Sequence, residues 1–416
     1  MVFRGWSTVI KHLINLNINA HSMLASTITL LEALVLIGTV LWITQYSISR
    51  RAHAYERPSS VNQQINQLPK VSIIIPAYRE KRQSIEKTLD SLSSQNYPRN
   101  LMEVLVVVDR DDVHTLNETL KAVETFLNSL NIKVIINENA GRRLKAIAIN
   151  NAMKHVSGSI VGIYDADDVF PRDQVLNAVL LMMEKNYAAV GTRVYRFRNT
   201  VLGSLMYLES LVWYNAIVPF LRTTVKITPL SGEGLFIRRD VVTSIPESLA
   251  EDALLSLELS RRGYGIGLLD SYVYELAPLN IASFIRQRIR WNKGYAQNFL
   301  LILRQGVRAG YVLRILVMYV LIALPPALLI VSAVGFATVV YMTIIVKAFT
   351  MDVIYQLILA ILLSELVVLY LIRDYVHESM SMGRAFVLLP IYWFLLGTVT
   401  ITSPFIPINN WLKTTR

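Results

Sequence analysis

Val71-Ser72-Ile73-Ile74-Ile75, running into Pro76-Ala77-Tyr78-Arg79-Glu80, is the stretch whose reading decides the fold. Branched aliphatic residues on successive positions suit a strand covered on both faces rather than one with a wet side. Working outward, Val104–Val108, Lys133–Ile136 and Ser159–Ile163 read as further strands. Amphipathic helical stretches separate them, at Gln83–Ser94, Leu116–Leu130 and Leu144–His155. This alternation predicts an α/β fold with a mostly parallel sheet and helices on both faces. In such sheets ligands bind beyond the carboxyl ends of the strands. There the sequence places Tyr78, Arg79 and Glu80, then Asp109-Arg110-Asp111-Asp112, then Tyr164-Asp165-Ala166-Asp167-Asp168. Acid collects at that rim. No GxGxxG turn follows the first strand and no GxxxxGK[ST] loop occurs, which disfavours nicotinamide, flavin and P-loop nucleotide sites.

The flanks are different. Over 416 residues the chain is 53% hydrophobic and 17% charged, with a mean hydropathy of +0.41, too apolar for an ordinary soluble globule. Met23–Ser47 is rich in Leu, Ile, Val, Ala and Thr and reads as a first transmembrane helix, with a cleaved signal peptide as the rival. Arg50, Arg51 and Arg57 follow it, which places the next segment in the cytoplasm. Ile315–Val346, interrupted by Pro325 and Pro326, and then Val353–Ile372 and Ala385–Thr402 read as three or four further crossings. Glu365 inside one of them should face protein rather than lipid. The expected division is therefore residues 1–57 as an N-terminal membrane segment, 58–310 as an α/β domain, and 311–416 as C-terminal membrane helices. Within the α/β domain, 201–221 and 281–305 are candidate interface helices.

The formal charge is +11, which suits phosphate ligands or an acidic lipid surface; no motif supports nucleic acid. Zero cysteines exclude disulfides, thiolate zinc sites and a catalytic thiol. Acid at strand ends in a basic protein calls for a divalent cation: Asp165 and Asp167 can offer oxygens to Mg²⁺ or Mn²⁺. The alternative is a solvated turn that caps the next helix.

Together, Ile75-Pro76-Ala77-Tyr78-Arg79-Glu80, Asp109, Asp165-Ala166-Asp167, Glu251-Asp252 and Gln287-Arg288-Ile289-Arg290-Trp291 resemble glycosyltransferase family 2, in its membrane branch with cellulose and hyaluronan synthases. The resemblance covers about Val71 to Gln297, and the small layout is similar to archaeal dolichol-dependent mannosyltransferases of N-glycan assembly. It implies a GT-A (Rossmann-like) cytosolic domain beside an α-helical transmembrane domain. It also implies an inverting, Mn²⁺- or Mg²⁺-dependent transfer from a nucleotide diphospho-sugar. On that basis Pro76, Tyr78, Glu80 and Asp109 would hold base and ribose, Asp165 the nucleotide, and Asp167 the metal. Lys145 would approach the donor phosphates or sugar. Asp252 would be the general base, with Glu251 at the acceptor. Gln287, Arg288, Arg290 and Trp291 would lie beside the leaving diphosphate and the acceptor, Trp291 offering a flat face to a sugar ring.

These roles fit the chemistry, because negative charge develops on the leaving diphosphate and the acceptor hydroxyl needs a carboxylate to take its proton. Asp252 reads equally as a helix N-cap. The Gln287–Trp291 segment also reads as an amphipathic helix on lipid, with Arg286, Arg288 and Arg290 toward headgroups. Two departures stand out: Val108-Asp109-Arg110-Asp111-Asp112 replaces the family's common VDDGS, and Arg79 stands where Asn is frequent. The expected product is a sugar, mannose from GDP-mannose first, on a polyprenyl or dolichyl acceptor. The alternatives are a processive polysaccharide synthase using a UDP-sugar and a non-catalytic nucleotide-binding membrane scaffold.

Overall fold

The computed structural model describes residues 54–59, 67–138, 144–320 and 380–406, with isolated positions elsewhere. The expected membrane helices at 23–47 and 353–372, and most of the one at 315–346, lie outside these residues. A seven-stranded sheet organises the chain in the order β3-β2-β1-β4-β6-β5-β7. Its strands are β1 (Val71–Ala77), β2 (Met102–Asp109), β3 (Asn131–Asn137), β4 (Ile160–Ile163), β5 (Ala189–Phe197), β6 (Leu235–Arg238) and β7 (Ile266–Leu276). β1, β2, β3 and β4 pair in parallel. β6 runs antiparallel to both β4 and β5, and β7 pairs in parallel with β5.

The pleat explains why the early strands look uniformly apolar. Ile73, Ile75, Val104 and Val106 point into one core beneath α1 (Arg82–Ser93), α2 (Val113–Phe126) and α4 (Gln174–Lys185). Their neighbours Ile74, Leu105 and Val107 enter the opposite core, with Ile149 of α3 (Lys145–Met153) and Leu255 of α6 (Glu251–Arg261). Alternate side chains serve opposite faces, so both must be apolar.

Beyond the sheet lies a helical layer. α5 (Val201–Val225) is the one helix among the described residues long and apolar enough to cross a membrane, yet 61% of its apolar window is buried. It widens into π-helical turns at Trp213–Ile217 and Leu221–Val225, on either side of Pro219, which supplies no backbone donor. Against it and α7 (Ile281–Arg304) pack α9 (Met380–Val387) and α10 (Leu389–Thr402). The expected span Ala385–Thr402 is thus divided at Leu388, with Pro390 in the first turn of α10, where its missing donor costs nothing. α8 (Ala309–Val320) follows α7. Ahead of β1, Glu56 bridges Leu269 as an added edge on β7, and Arg57 meets Asp270 at 2.7 Å.

At the end of the sheet away from the acid rim, Glu103 is fully buried. Ser72 Oγ (2.6 Å), Ser157 N (2.7 Å), Ser157 Oγ (2.6 Å) and Lys133 Nζ (3.0 Å) all donate to it. Burial pushes its carboxyl up, but these donors outweigh that and hold it at about 2. A depressed carboxyl stabilises the fold above its ordinary value near 4.5, and the contribution fades as pH falls toward 2. At ~1.4 kcal/mol per unit this amounts to ~3 kcal/mol. Glu103→Gln is expected to lose about that much at pH 7 and progressively less below pH 4.5, read by denaturation of the full chain at several pH values.

Candidate active site

The sheet places the acid rim as the sequence implies. β1 delivers Pro76, Tyr78 and Glu80, β2 delivers Asp109, and β4 delivers Asp165, all lining a cavity of ≈ 520 Å³. Arg79 has φ 53, the left-handed region that asparagine tolerates better than most residues. Asp112, from the Val108–Asp112 departure, steadies it: its Oδ2 accepts from Arg79 N at 2.6 Å while Oδ1 caps α2 through Thr115 N. The two departures from the common pattern therefore touch. Asn137 Nδ2 donates to Asp109 Oδ1 at 2.7 Å.

The Asp165–Asp168 turn does not cap the next helix, whose N-cap is Asp173. Instead Asp165 Oδ1 receives Lys145 Nζ at 2.6 Å, and Asp168 Oδ2 accepts from Asp165 N at 2.7 Å. Carboxylate oxygens of Asp165, Glu233 and Glu275 lie within 4.8 Å of one another. Arg196 faces the same group, 2.9 Å from Glu275 and 3.8 Å from Glu233. Burial, then Glu275 and Asp165, push the Glu233 carboxyl up to about 8. Burial and the neighbouring acids also raise Asp168. Burial works against the charge on Lys145, but Asp165, Glu233 and Glu251 hold its pKa above the usual lysine value. Three hard oxygen donors, from Asp165, Glu233 and Glu275, suit Mn²⁺ or Mg²⁺ by donor chemistry. Asp167, the metal ligand expected from sequence, is buried and lies outside the cavity lining.

Across the cavity, Glu251 and Asp252 open α6, where the helix dipole favours negative charge. Ala250 is the N-cap, so Asp252 is not; its Oδ1 accepts from Ala253 N at 2.7 Å. Burial and Asp252 push the buried Glu251 carboxyl up to about 7, with Lys145 opposing. Gly232 passes between these groups: a Cβ there would stand 2.9 Å from Lys145 Nζ and 3.7 Å from Asp252 Oδ2. Gly294 performs a similar service for α7, where a Cβ would stand 2.6 Å from that of Ala250.

α7 carries Gln287, Arg290 and Trp291 into the cavity. Gln287 is buried with Oε1 accepting no hydrogen bond, an arrangement that favours a ligand donor. Arg288 does not reach toward headgroups: it is buried and bidentate to Glu209 of α5 at 2.6 and 2.8 Å. Tyr392 of α10 donates to that same carboxylate. Arg290 likewise turns inward, donating to Leu249 O at 3.3 Å. The ring of Trp291 is met by the guanidinium groups of Arg196 at 4.9 Å and Arg288 at 4.5 Å, so cations occupy the π surface assigned to a sugar.

The family model described as "Glycosyltransferase like family 2" matches residues 69–294. The chain belongs to this family. "Probable glycosyltransferase YdaM" of Bacillus subtilis (strain 168) is 30% identical over 241 residues, 55% of this chain and 56% of that protein. "Beta-monoglucosyldiacylglycerol synthase" of Synechocystis sp. is 24% identical over 244 residues, 56% of this chain and 49% of its own. The chain thus spans about half the length of these relatives. The mannosyltransferase PcManGT from Pyrobaculum calidifontis, solved in complex with GDP-Man and Mn²⁺, superimposes with a TM-score of 0.62 at 23% identity, covering 89% of this chain and 99% of that one. The shared fold is GT-A-like.

Sequence reasoning overlooked Glu233, Glu275, Arg196 and Glu209. The glycines flanking Glu233 and the lone charges in the aromatic strands Tyr195-Arg196-Phe197 and Tyr274-Glu275-Leu276 were the available signals. Because Glu209 and Arg288 are largely buried, removing one partner strands the other: Glu209→Ala should cost ~3 kcal/mol, and the double variant Glu209→Leu, Arg288→Leu should recover much of it in thermal melts.

Proposed function

We propose that this chain is a membrane-bound inverting glycosyltransferase of the hexosyltransferase class. Its cytosol-facing domain moves a sugar, mannose from GDP-mannose first, to a hydroxyl of a lipid-linked acceptor such as a dolichyl-linked glycan. One observation carries the reading: the cavity that begins at the strand-end acids continues past Asp252 to Trp213, Ile217, Phe299, Trp393 and Leu396. A charged end for a diphosphate and an aromatic, aliphatic end for a hydrocarbon or its headgroup share one space. The name of the glycolipid synthase relative supports a lipid acceptor, and the ligand of the fold neighbour supports the donor.

Pro76, Tyr78, Glu80 and Asp109 would receive the nucleoside. Mn²⁺ or Mg²⁺, held by Asp165 with Glu233 and Glu275 or with Asp167, would supply positive charge against the departing diphosphate. Lys145 and Arg290 add fixed cations on the same side, and the buried Gln287 offers its amide to the donor. Asp252 takes the acceptor proton. Glu251 beside it is held toward its neutral form by burial and by Asp252.

Asp252→Asn is expected to cut transfer by 10²-fold or more while leaving binding of the nucleotide-sugar intact. The assay follows label from a panel of nucleotide-sugars into the organic phase, with polyprenyl phosphates or glycolipids and Mn²⁺ or Mg²⁺ present. Unchanged turnover in the variant would remove Asp252 from the chemistry. Label in a water-soluble polymer would instead favour a processive synthase.

A further inference from the structure

Several arginines have carboxylate partners: Arg57, Arg193, Arg196, Arg222, Arg238 and Arg288 each form an ion pair. Arg261 and Arg262 at the end of α6, Arg304 at the end of α7, and Arg308 and Arg314 around the start of α8 are different. All five are exposed, and none forms an ion pair among the described residues. They converge. Tyr311 links α8 to α6 by donating to Leu257 O at 2.5 Å, and Arg261 and Arg314 both lie within electrostatic range of its hydroxyl. The acid in that range is Glu258, which is half-buried.

Beside these cations the surface turns apolar. Leu313, Leu316, Val317 and Val320 of α8 are 61%, 43%, 41% and 54% exposed. Their spacing of i, i+3, i+4, i+7 puts them on one helix face. The opposite face carries Ile315 and Met318 into the protein, so α8 is apolar on both sides. Leu300 and Leu303 at the end of α7 are exposed as well. Leu316 also lines the cavity, which carries this surface up to the cavity's apolar end.

We propose that this elbow between α7 and α8 is a docking surface for an anionic bilayer. The five arginines receive the phosphates of acidic lipid headgroups, and the leucine and valine stripe enters the acyl layer beneath them. Unpaired cations over an exposed apolar stripe match that boundary, where both are solvated. A nucleic acid would meet the charges but not the stripe. The proposal goes beyond the transfer reaction and holds whatever sugar is moved.

The test uses the full chain in neutral detergent, titrated with dioctanoylphosphatidylglycerol, dioctanoylphosphatidylcholine or inorganic phosphate. The thermal midpoint and lipid adducts by native mass spectrometry are the readouts. The anionic lipid should bind saturably and raise the midpoint, and the other two should not. Arg304→Gln, Arg308→Gln, Arg314→Gln combined should weaken that binding about tenfold or more. Arg261→Gln with Arg262→Gln, on a separate helix, should shift it in the same direction and serves if the triple variant fails to fold. Arg99→Gln with Arg239→Gln, exposed elsewhere, should bind as the parent does. Equal responses to both lipids, a full response to phosphate alone, or either elbow variant binding like the parent overturns the proposal.

Discussion

Negative charge buried at the carboxyl end of a sheet is the constraint on which the rest of this structure depends. Asp168, Glu233, Glu251 and Glu275 are withdrawn from water and Asp165 partly so, and each buried ionised carboxylate is expensive unless a cation answers it. Lys145 and Arg196 answer from opposite sides: one at 2.6 Å from Asp165, the other at 2.9 Å from Glu275. Raised pKa values at Glu233 and Asp168 show that these two cations do not compensate the cluster in full. A sheet that stores such an excess is complementary to a cation, and a divalent metal ion is a ligand of that kind.

The topology decides which acids meet. β4 supplies Asp165, the turn before β6 supplies Glu233, and β7 supplies Glu275 opposite Arg196 on β5. Reversal of β6 is what brings Glu233 to the rim: running antiparallel to β4, it starts where β4 ends, pairing Leu235 with Ile163. Had β6 run with its neighbours, Glu233 would stand at the far end of the sheet, near Glu103.

This also explains what the sequence discloses and what it hides. β1, β2 and β4 are legible because each is covered on both faces, which leaves an apolar run with acid at its end, whereas β3 at the sheet edge is partly exposed and betrays itself by its β-branched residues alone. β5 and β7 mix Gly, Thr, Arg, Tyr and Glu, since one face meets the charged cavity and the other is an aromatic surface of Tyr195, Tyr272 and Tyr274. Their pairing, Arg196 with Glu275, joins residues far apart in the chain, so no local spacing announces it. Asp252 and the Gln287–Trp291 segment are visible as motifs, but not the fact that Arg288 serves Glu209 instead of lipid. Alternating arginines on a helix look like a headgroup-facing stripe until a buried carboxylate on another helix claims one. Helix α5 was similarly ambiguous: an apolar helix of 25 residues has the composition of a membrane span whether lipid or protein surrounds it.

α7 joins the cavity wall to the exposed apolar elbow with α8 in one element. Its first half is fixed by the loop before Glu251 and by Glu209, so Gln287 and Trp291 are held by packing rather than by a mobile loop. Tyr392 closes on Glu209 from α10, while Asn292 donates to Ser403 Oγ at 3.2 Å just beyond that helix. A shift of α10 relative to α7 therefore disturbs the carboxylate that holds Arg288, and through Arg288 the ring of Trp291. Packed helices joined by a buried ion pair move as a unit or break the pair, because a half-dissociated buried pair leaves one charge uncompensated. The C-terminal helix consequently contributes to the shape of the cavity through Glu209, and cannot be treated as an anchor appended to a finished site.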